Sequence, residues 1–557
     1  MSGSPTGVLS SATRESSRVQ AAGAAPNAAG PSRARLLLSA GIIGAAAMLV
    51  VQSGTPWLVG NDSYYHLRMA SMLPETGFPS HFPWLHWTIF RDDFVSHHHG
   101  FHALLAAPAL VSDWLTDDLI LGGKAASVIG LGITAALFAA VLRQLGVPHP
   151  LLWTLLLTWA PWHFWMRLAY VRAPIAALPL LLGALWLILR NRPFLLGLMG
   201  FVFAQVYAGV VLFPLVPFAM LLGRAVAREP LGRGLVHLGA AAFGVGAGLI
   251  VNPYFPQNLR FLWVQLFETG LGSPAEVGSE WKPYDAWFLL KIALPILAVW
   301  VVSLIARLRC ASRTDGVGFG LLILNLAFLA LTIHARRFIE YWPVFLLLNA
   351  AEWRRHVAAE ATGAAVRAGR AASSRAIHTA ALALLAAPGI ATILMTRAAV
   401  GTTYDPGRLR PAMAYLERNS PAGAIVFTDD WDLFPYCFYF NRHNRYVVGL
   451  DPVFTMTKYP QLWERYRLIT RGQAPSPIHA TDDSRPPDVA RLEDIRDAFE
   501  AGYVLVAADH RKLYEQLHRR SDVFRRVYPA EPWNDADAIP AFSVFEVLPG
   551  DGAAAAP

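Results

Sequence analysis

The chain carries apolar runs too long and too continuous for the core of a water-soluble domain. The first, LLLSAGIIGAAAMLVVQS at 36–53, holds no charged residue and has the roughly eighteen residues that a helix needs to cross the hydrocarbon core. Inside a bilayer every backbone polar group must be satisfied within the segment, so runs of this kind fold as helices or not at all. Further spans read at roughly 119–142, 149–166, 174–189, 194–208, 209–223, 234–251, 286–306, 316–333, 337–351 and 376–396. Charged residues are 15% of the 557, against about 25% in soluble chains. Mean hydropathy is +0.37. A disordered, collagenous or disulfide-stapled chain is excluded.

The run at 194–223 decides the topology, because a single crossing there would move every later loop to the other side. Two crossings, and about eleven spans in all, place the arginine clusters at 190–192, 224–233, 307–313 and 354–375 inside, as cytoplasmic loops require. The N-terminus is then cytoplasmic, with an uncleaved anchor following Arg33 and Arg35. The same bias accounts for the net charge of +8 (47 Lys and Arg against 39 Asp and Glu) without nucleic acid as a partner. Cys310 and Cys437 fall on opposite sides, so no disulfide and no thiolate metal site is expected.

Residues 1–34 read as a disordered cytoplasmic tail, and 35–397 as a polytopic α-helical membrane domain with long outer loops at 54–118 and 252–285. From 398 to 548 the chain turns polar. Strand-like runs (AIVFTD, RYVVGLD, YVLVAAD, FSVFEVL) alternate with helical stretches, the pattern of a soluble α/β domain, here extracytoplasmic. Residues 549–557 form a second short tail.

The outer loops hold the candidate chemistry. Asp62, in GNDSYYHLR, lies about ten residues past the first span. It is either a functional carboxylate near the bilayer surface or the cap of a helix. Asp92, Asp93, His97, His98, His99 and His102 in the same loop are metal-competent types. Three consecutive histidines cannot all face one ion, so His98 and His102, one helical turn apart, are the better-spaced pair. In PAEVGSEWKPYDAW, Glu280 suits a substrate-gated loop, while Trp281 and Trp287 suit the interfacial aromatic belt. Arg336 and Arg337, in HARRFIEYWP, break the charge bias by facing outward. They read as a phosphate receptor or as snorkelling cations. Asp429, Asp430, Trp431 and Asp432 close a predicted strand as either binding residues or a helix-capping cluster. Asp451 in GLDP reads as a turn cap.

In this order, GNDSYYHLR, the Ser-Glu-Trp-x-Pro loop, Arg-Arg-Phe and the C-terminal Trp-Asp resemble the catalytic subunit of oligosaccharyltransferases. These are GT-C membrane glycosyltransferases, here of the single-subunit bacterial and archaeal type. The resemblance implies a metal-holding aspartate at Asp62 and a loop glutamate serving metal and acceptor at Glu280. It also implies a donor-pyrophosphate arginine at Arg337 and an acceptor-reading Trp-Asp at Trp431 and Asp432. A divalent cation, Mn or Mg, is implied as cofactor. The family's second acidic pair belongs in the outer turn near 167–174, which here reads RLAYVRAP with no carboxylate. Asp93 or His98 is the expected replacement, and the WWDYG block is half present, as DDWDLFPY.

The function expected is transfer of a glycan or sugar from a polyprenyl (pyro)phosphate donor to a protein or glycan acceptor on the outer face. Asp62 and Glu280 would act at the reaction centre, Arg336 and Arg337 on phosphate, and Tyr65 and His66 beside the donor sugar. A non-catalytic scaffold and a transferase with a non-protein acceptor are the alternatives. A transporter is disfavoured, because no repeat pairs two broken apolar segments.

Overall fold

The computed structural model describes residues 32–271, 278–310, 312, 314–368, 375–474, 490–530 and 540–550. Nearly all of the two predicted tails lies outside these residues.

Among the described residues five helices are long and apolar enough to cross a bilayer: Arg33–Gln52, Ile120–Gln144, Gly232–Ile250, Ala286–Leu308 and Gly316–His334. Pro174–Leu189, Pro193–Val206 and Leu212–Val226 are shorter apolar helices. The chain is an integral membrane protein. The ambiguous run at 194–223 is two helices, parted by Tyr207 in extended conformation. The predicted span at 149–166 is broken instead. Pro161 holds Ala160 extended (ψ 146°), so the helix starting at Pro150 ends near Trp159 and a new one covers Trp162–Ala169.

Small residues let the helices approach closely, as membrane packing favours. A Cβ added to Gly44 would lie 2.5 Å from the Leu131 carbonyl oxygen, and one on Gly244 only 1.9 Å from that of Gly197.

The soluble part is built on a five-stranded sheet: β1 (Ile425–Thr428), β2 (Arg445–Tyr446), β3 (Tyr503–Ala507), β4 (Phe524–Tyr528) and β5 (Phe542–Val547), in the order β2-β1-β3-β5-β4. β1 runs parallel to β2 and β3, with Val426 opposite Tyr503; β5 runs antiparallel to β3 and β4, with Val544 opposite Leu505. The strand FRRVY was not expected from sequence, because its arginines belong to a half-exposed edge.

Two contacts lock the sheet onto the membrane part. The aromatic helix Phe434–Phe440 lies on helix Asp62–Thr76, with Tyr64 against Tyr436 at 4.9 Å and Tyr439 at 5.1 Å and the Arg68 guanidinium 4.8 Å over Tyr439. The first outer loop also pairs with β2: the His86 N–H donates to Tyr446 O at 2.9 Å and the Tyr446 N–H to Trp84 O at 2.8 Å. The outer loop and the soluble domain therefore meet above the same end of the bundle.

Candidate active site

Asp62 opens the helix Asp62–Thr76, where the N-terminal dipole favours a carboxylate. Its neighbour Ser63 is buried. The Ser63 hydroxyl donates to Val59 O at 2.6 Å and accepts from the Val171 N–H at 2.9 Å, while Gln52 Nε2 donates to Ala169 O at 2.8 Å. These bonds pin the outer turn at 170–173 beside Asp62. The turn supplies Arg172, stacked 4.9 Å from the Tyr170 ring centroid, and the helix before it supplies Arg167.

Around these residues three carboxylates and three guanidiniums interlock. Arg172 Nη1 lies 2.7 Å from Glu280 Oε2 and 3.4 Å from Asp62 Oδ2, and its Nη2 donates to Glu340 Oε1 at 3.0 Å. Arg167 donates from Nε to Glu340 Oε1 at 2.7 Å and from Nη2 to Glu280 Oε2 at 2.9 Å. Arg337 Nη1 faces the other Glu280 oxygen at 3.5 Å, its guanidinium 4.3 Å over the Trp281 ring. Burial alone would raise the Glu280 carboxyl, but Arg172, Arg337 and Arg167 outweigh it and hold the group well below the usual carboxylate range.

Asp62, Tyr65, His66, His98, Arg172, Glu280, Trp281, Arg337 and Asp451 line one recess of about 100 Å³. Asp451 caps the helix Pro452–Met456 through the Val453 N–H at 2.9 Å. Burial first, then Glu280 and Asp62, push its carboxyl up to about 7. A far larger apolar groove, about 1020 Å³, runs between the helices His99–Thr116, Ile120–Gln144, Pro174–Leu189 and Pro193–Val206. Its lining adjoins that of the recess, where Ile175 follows Pro174 and where Phe101 packs on His66 at 5.6 Å.

Other predicted residues lie elsewhere. Asp93 lines a separate cavity with Arg260 and Lys458. Of the histidine run, His97 and His98 line the recess, stacked on Phe261 and Tyr207, while His99 points away, its Nε2 meeting Gln205 Oε1 at 2.6 Å. His102 Nε2 is 2.8 Å from His66 Nδ1 and His98 packs on the same ring at 5.5 Å, yet among the described residues the spaced pair His98 and His102 belongs to no three-group ligand cluster. Arg336 holds the outer loop, donating to Pro283 O at 3.1 Å, and is not at the recess. Trp431 borders Gly278, whose added Cβ would meet its ring at 3.8 Å, and Asn61 Nδ2 donates to the Asp432 carbonyl at 3.2 Å. The Trp-Asp pair thus stands next to both Asp62 and the Glu280 loop.

Arg167, Arg172 and Glu340 were not singled out in the sequence. Their signals were two arginines in an outer turn, where the charge bias forbids them, and a carboxylate at the edge of an apolar run.

The expected ligand set Asp62, Glu280, Asp93 and His98 does not fit a divalent ion here. Asp93 is in another cavity, both Glu280 oxygens face guanidiniums, and Arg172 stands between the two acids. Among the described residues, the clusters able to ligate through three groups are Asp315–Glu352–His356 and Asp429–Asp509–His510, neither of them at this recess.

A helical membrane domain, a recess of paired charges at one end of it and a soluble α/β domain locked above that end define the GT-C architecture. The comparisons are structural, because no family model and no curated protein matches the chain. The archaeal oligosaccharyltransferase AglB of Archaeoglobus fulgidus, solved with an inhibitory peptide and a dolichol-phosphate, superposes at TM-score 0.61 and 13% identity, over 90% of this chain and 74% of its own. ArnT from Cupriavidus metallidurans gives 0.55 and 14%, over 90% and 97%. The mycobacterial arabinofuranosyltransferase AftD gives 0.54 and 13%, over 94% and 42%. At such identities the likeness is one of fold.

Proposed function

We propose that the protein is a membrane glycosyltransferase that moves a sugar or glycan from a polyprenyl (pyro)phosphate to an acceptor on the extracytoplasmic face. The observation carrying this reading is a guanidinium-lined recess adjoining, through Ile175 beside Pro174 and Phe101 against His66, an apolar groove ten times its volume. A lipid phosphate needs both: bidentate donors for its head and a hydrocarbon channel for its tail. N-terminus inside, about eleven spans and an external C-terminal domain complete the reading.

The residues divide the work. Arg337 holds the donor phosphate, since among the described residues its ion pair is with Glu280 alone, at 3.5 Å. Its ring contact with Trp281 fixes the guanidinium plane. As the sugar's C1 bonds to the acceptor oxygen or nitrogen, the C1–O bond to phosphate breaks and its electron pair stays on the phosphate. The acceptor proton passes to Asp62, whose nearest guanidinium stands at 3.4 Å, against 2.7 Å for Glu280 and for Glu340, and whose side chain is the most exposed of the three acids (35%, against 25% for Glu280 and 1% for Glu340). Trp431 and Asp432 face the acceptor, a protein or glycan, and Tyr65 and His66 the donor sugar. Membranes carrying Asp62→Asn or Glu280→Gln should lose glycan transfer while the protein remains folded. Normal transfer by both variants would transfer support to a non-catalytic scaffold.

A further inference from the structure

We propose that the Arg172 guanidinium is the resident cation of this site, standing where a divalent ion would bridge the two acids, and that transfer proceeds without a metal. The inference rests on the glycosyltransferase reading and specifies its electrostatics.

Geometry comes first. A Mg²⁺-like ion needs carboxylate oxygens at about 2.0–2.1 Å in a near-octahedral shell. The gap between Asp62 Oδ2 and Glu280 Oε2 is instead spanned by one nitrogen, Arg172 Nη1, at 3.4 and 2.7 Å. Placing an ion there would set two cations in one gap. Arg172 is also held from behind: Nη2 donates to Glu340, a carboxylate 1% exposed that Arg167 holds in turn. The side chain, 9% exposed, is thus fixed by three carboxylates on separate segments.

Charge is the second argument. Asp62, Glu280 and Glu340 are matched one for one by Arg167, Arg172 and Arg337. A divalent ion added beside these pairs would find only Asp451 as a further acid lining the recess, its carboxyl already pushed up to about 7, so most of the added charge would stay uncompensated in a buried place.

The third observation points at the ligand. Arg172 Nε is buried without a hydrogen-bond partner among the described residues, at a side chain that lines the recess. A buried donor of this kind wants an acceptor oxygen. A phosphate oxygen of the donor supplies one. When the C1–O bond breaks, the electron pair develops on that phosphate, between Arg172 and Arg337, whose charges are already in place.

The test uses the full chain in lipid nanodiscs with undecaprenyl phosphate as probe and inorganic phosphate as competitor. Affinity should be the same after exhaustive chelation and after Mn²⁺ addition, and inorganic phosphate should compete. Arg172→Ala should weaken lipid binding on the order of tenfold or more, the worth of one charged hydrogen bond, and Arg172→Lys should recover only part, lacking the planar fork. A second measurement needs no arginine variant: Mn²⁺ titrated into the wild type, followed by electron paramagnetic resonance. Saturable Mn²⁺ binding that Glu280→Gln abolishes, or lipid binding that requires Mn²⁺, would overturn the inference and leave the glycosyltransferase reading intact. Unaltered lipid affinity in Arg172→Ala, or lipid bound with no competition from phosphate, would also overturn it. Failure of the wild type to bind the lipid under any condition would overturn both.

Discussion

Glu340 is the most deeply buried acid of the charged cluster, and its removal gives a prediction of definite size. Its Oε1 accepts from Arg167 Nε at 2.7 Å and from Arg172 Nη2 at 3.0 Å, and the carboxylate is 1% exposed. Each charge-assisted bond contributes about 1.5–3 kcal/mol. Breaking a buried pair independently costs about 3–5 kcal/mol, because the partner is left charged and unpaired. The two routes agree on a loss of roughly 3–5 kcal/mol for Glu340→Ala. The assay is denaturant unfolding in one detergent, followed by tryptophan fluorescence. Arg167→Met added to Glu340→Ala should restore part of the loss, since it removes one of the two guanidiniums then left to share Glu280. A single-variant loss under about 1 kcal/mol, the range of exposed pairs, would show that Glu340 does not hold the arginines in place.

Other outcomes follow from separate parts of the structure. Arg337→Ala should reduce glycan transfer far more than Arg336→Ala, measured in membranes at matched expression, because only Arg337 reaches the recess. Asp451 titrates near 7 in the folded protein against an ordinary carboxyl near 3.8. The folded state therefore binds this proton more tightly, so its contribution to stability is present below pH 4 and is lost as pH rises toward 7. Asp451→Asn should flatten that part of the stability profile while keeping the helix cap; an unaltered slope would count against the assignment. Gly244→Val should destabilise the contact with the Gly197 helix by about 1–3 kcal/mol, given the 1.9 Å approach of even a single added carbon. Trp431→Ala should blur the distinction between hydroxyl-bearing and hydroxyl-free acceptor peptides. If neither peptide is ever modified, a glycan acceptor is favoured.

Much of the fold could be read in advance because bilayer insertion writes itself into composition. Long apolar runs and arginine-marked loops lead directly to helices and to a topology, and the switch to strand-like runs after 400 marks the soluble sheet. The proximity of Asp62, Glu280 and Arg337 followed from motif order together with their expected placement in loops on one side of the membrane. What stayed hidden was pairing. Arg167 and Arg172 in RLAYVRAP resemble stray cations at a lipid surface, and only the fold shows that each is matched to a carboxylate more than 100 residues away. Asp93 failed as a candidate for the converse reason. A carboxylate close in sequence to Asp62 and His98 was carried into another cavity by the path of the outer loop. The break at Pro161 was within reach of local rules, since proline dictates the preceding residue, but the apolar run around it concealed the signal.

The central claim is that the recess formed by Asp62, Glu280 and the arginines is where a lipid-linked sugar reacts. The most direct measurement is quantification of lipid-linked and transferred glycan in a host lacking the gene, complemented with wild type or Glu280→Gln at equal membrane abundance. The account predicts that the variant accumulates the lipid-linked sugar and leaves the acceptor bare. Identical glycan profiles for the two would contradict it.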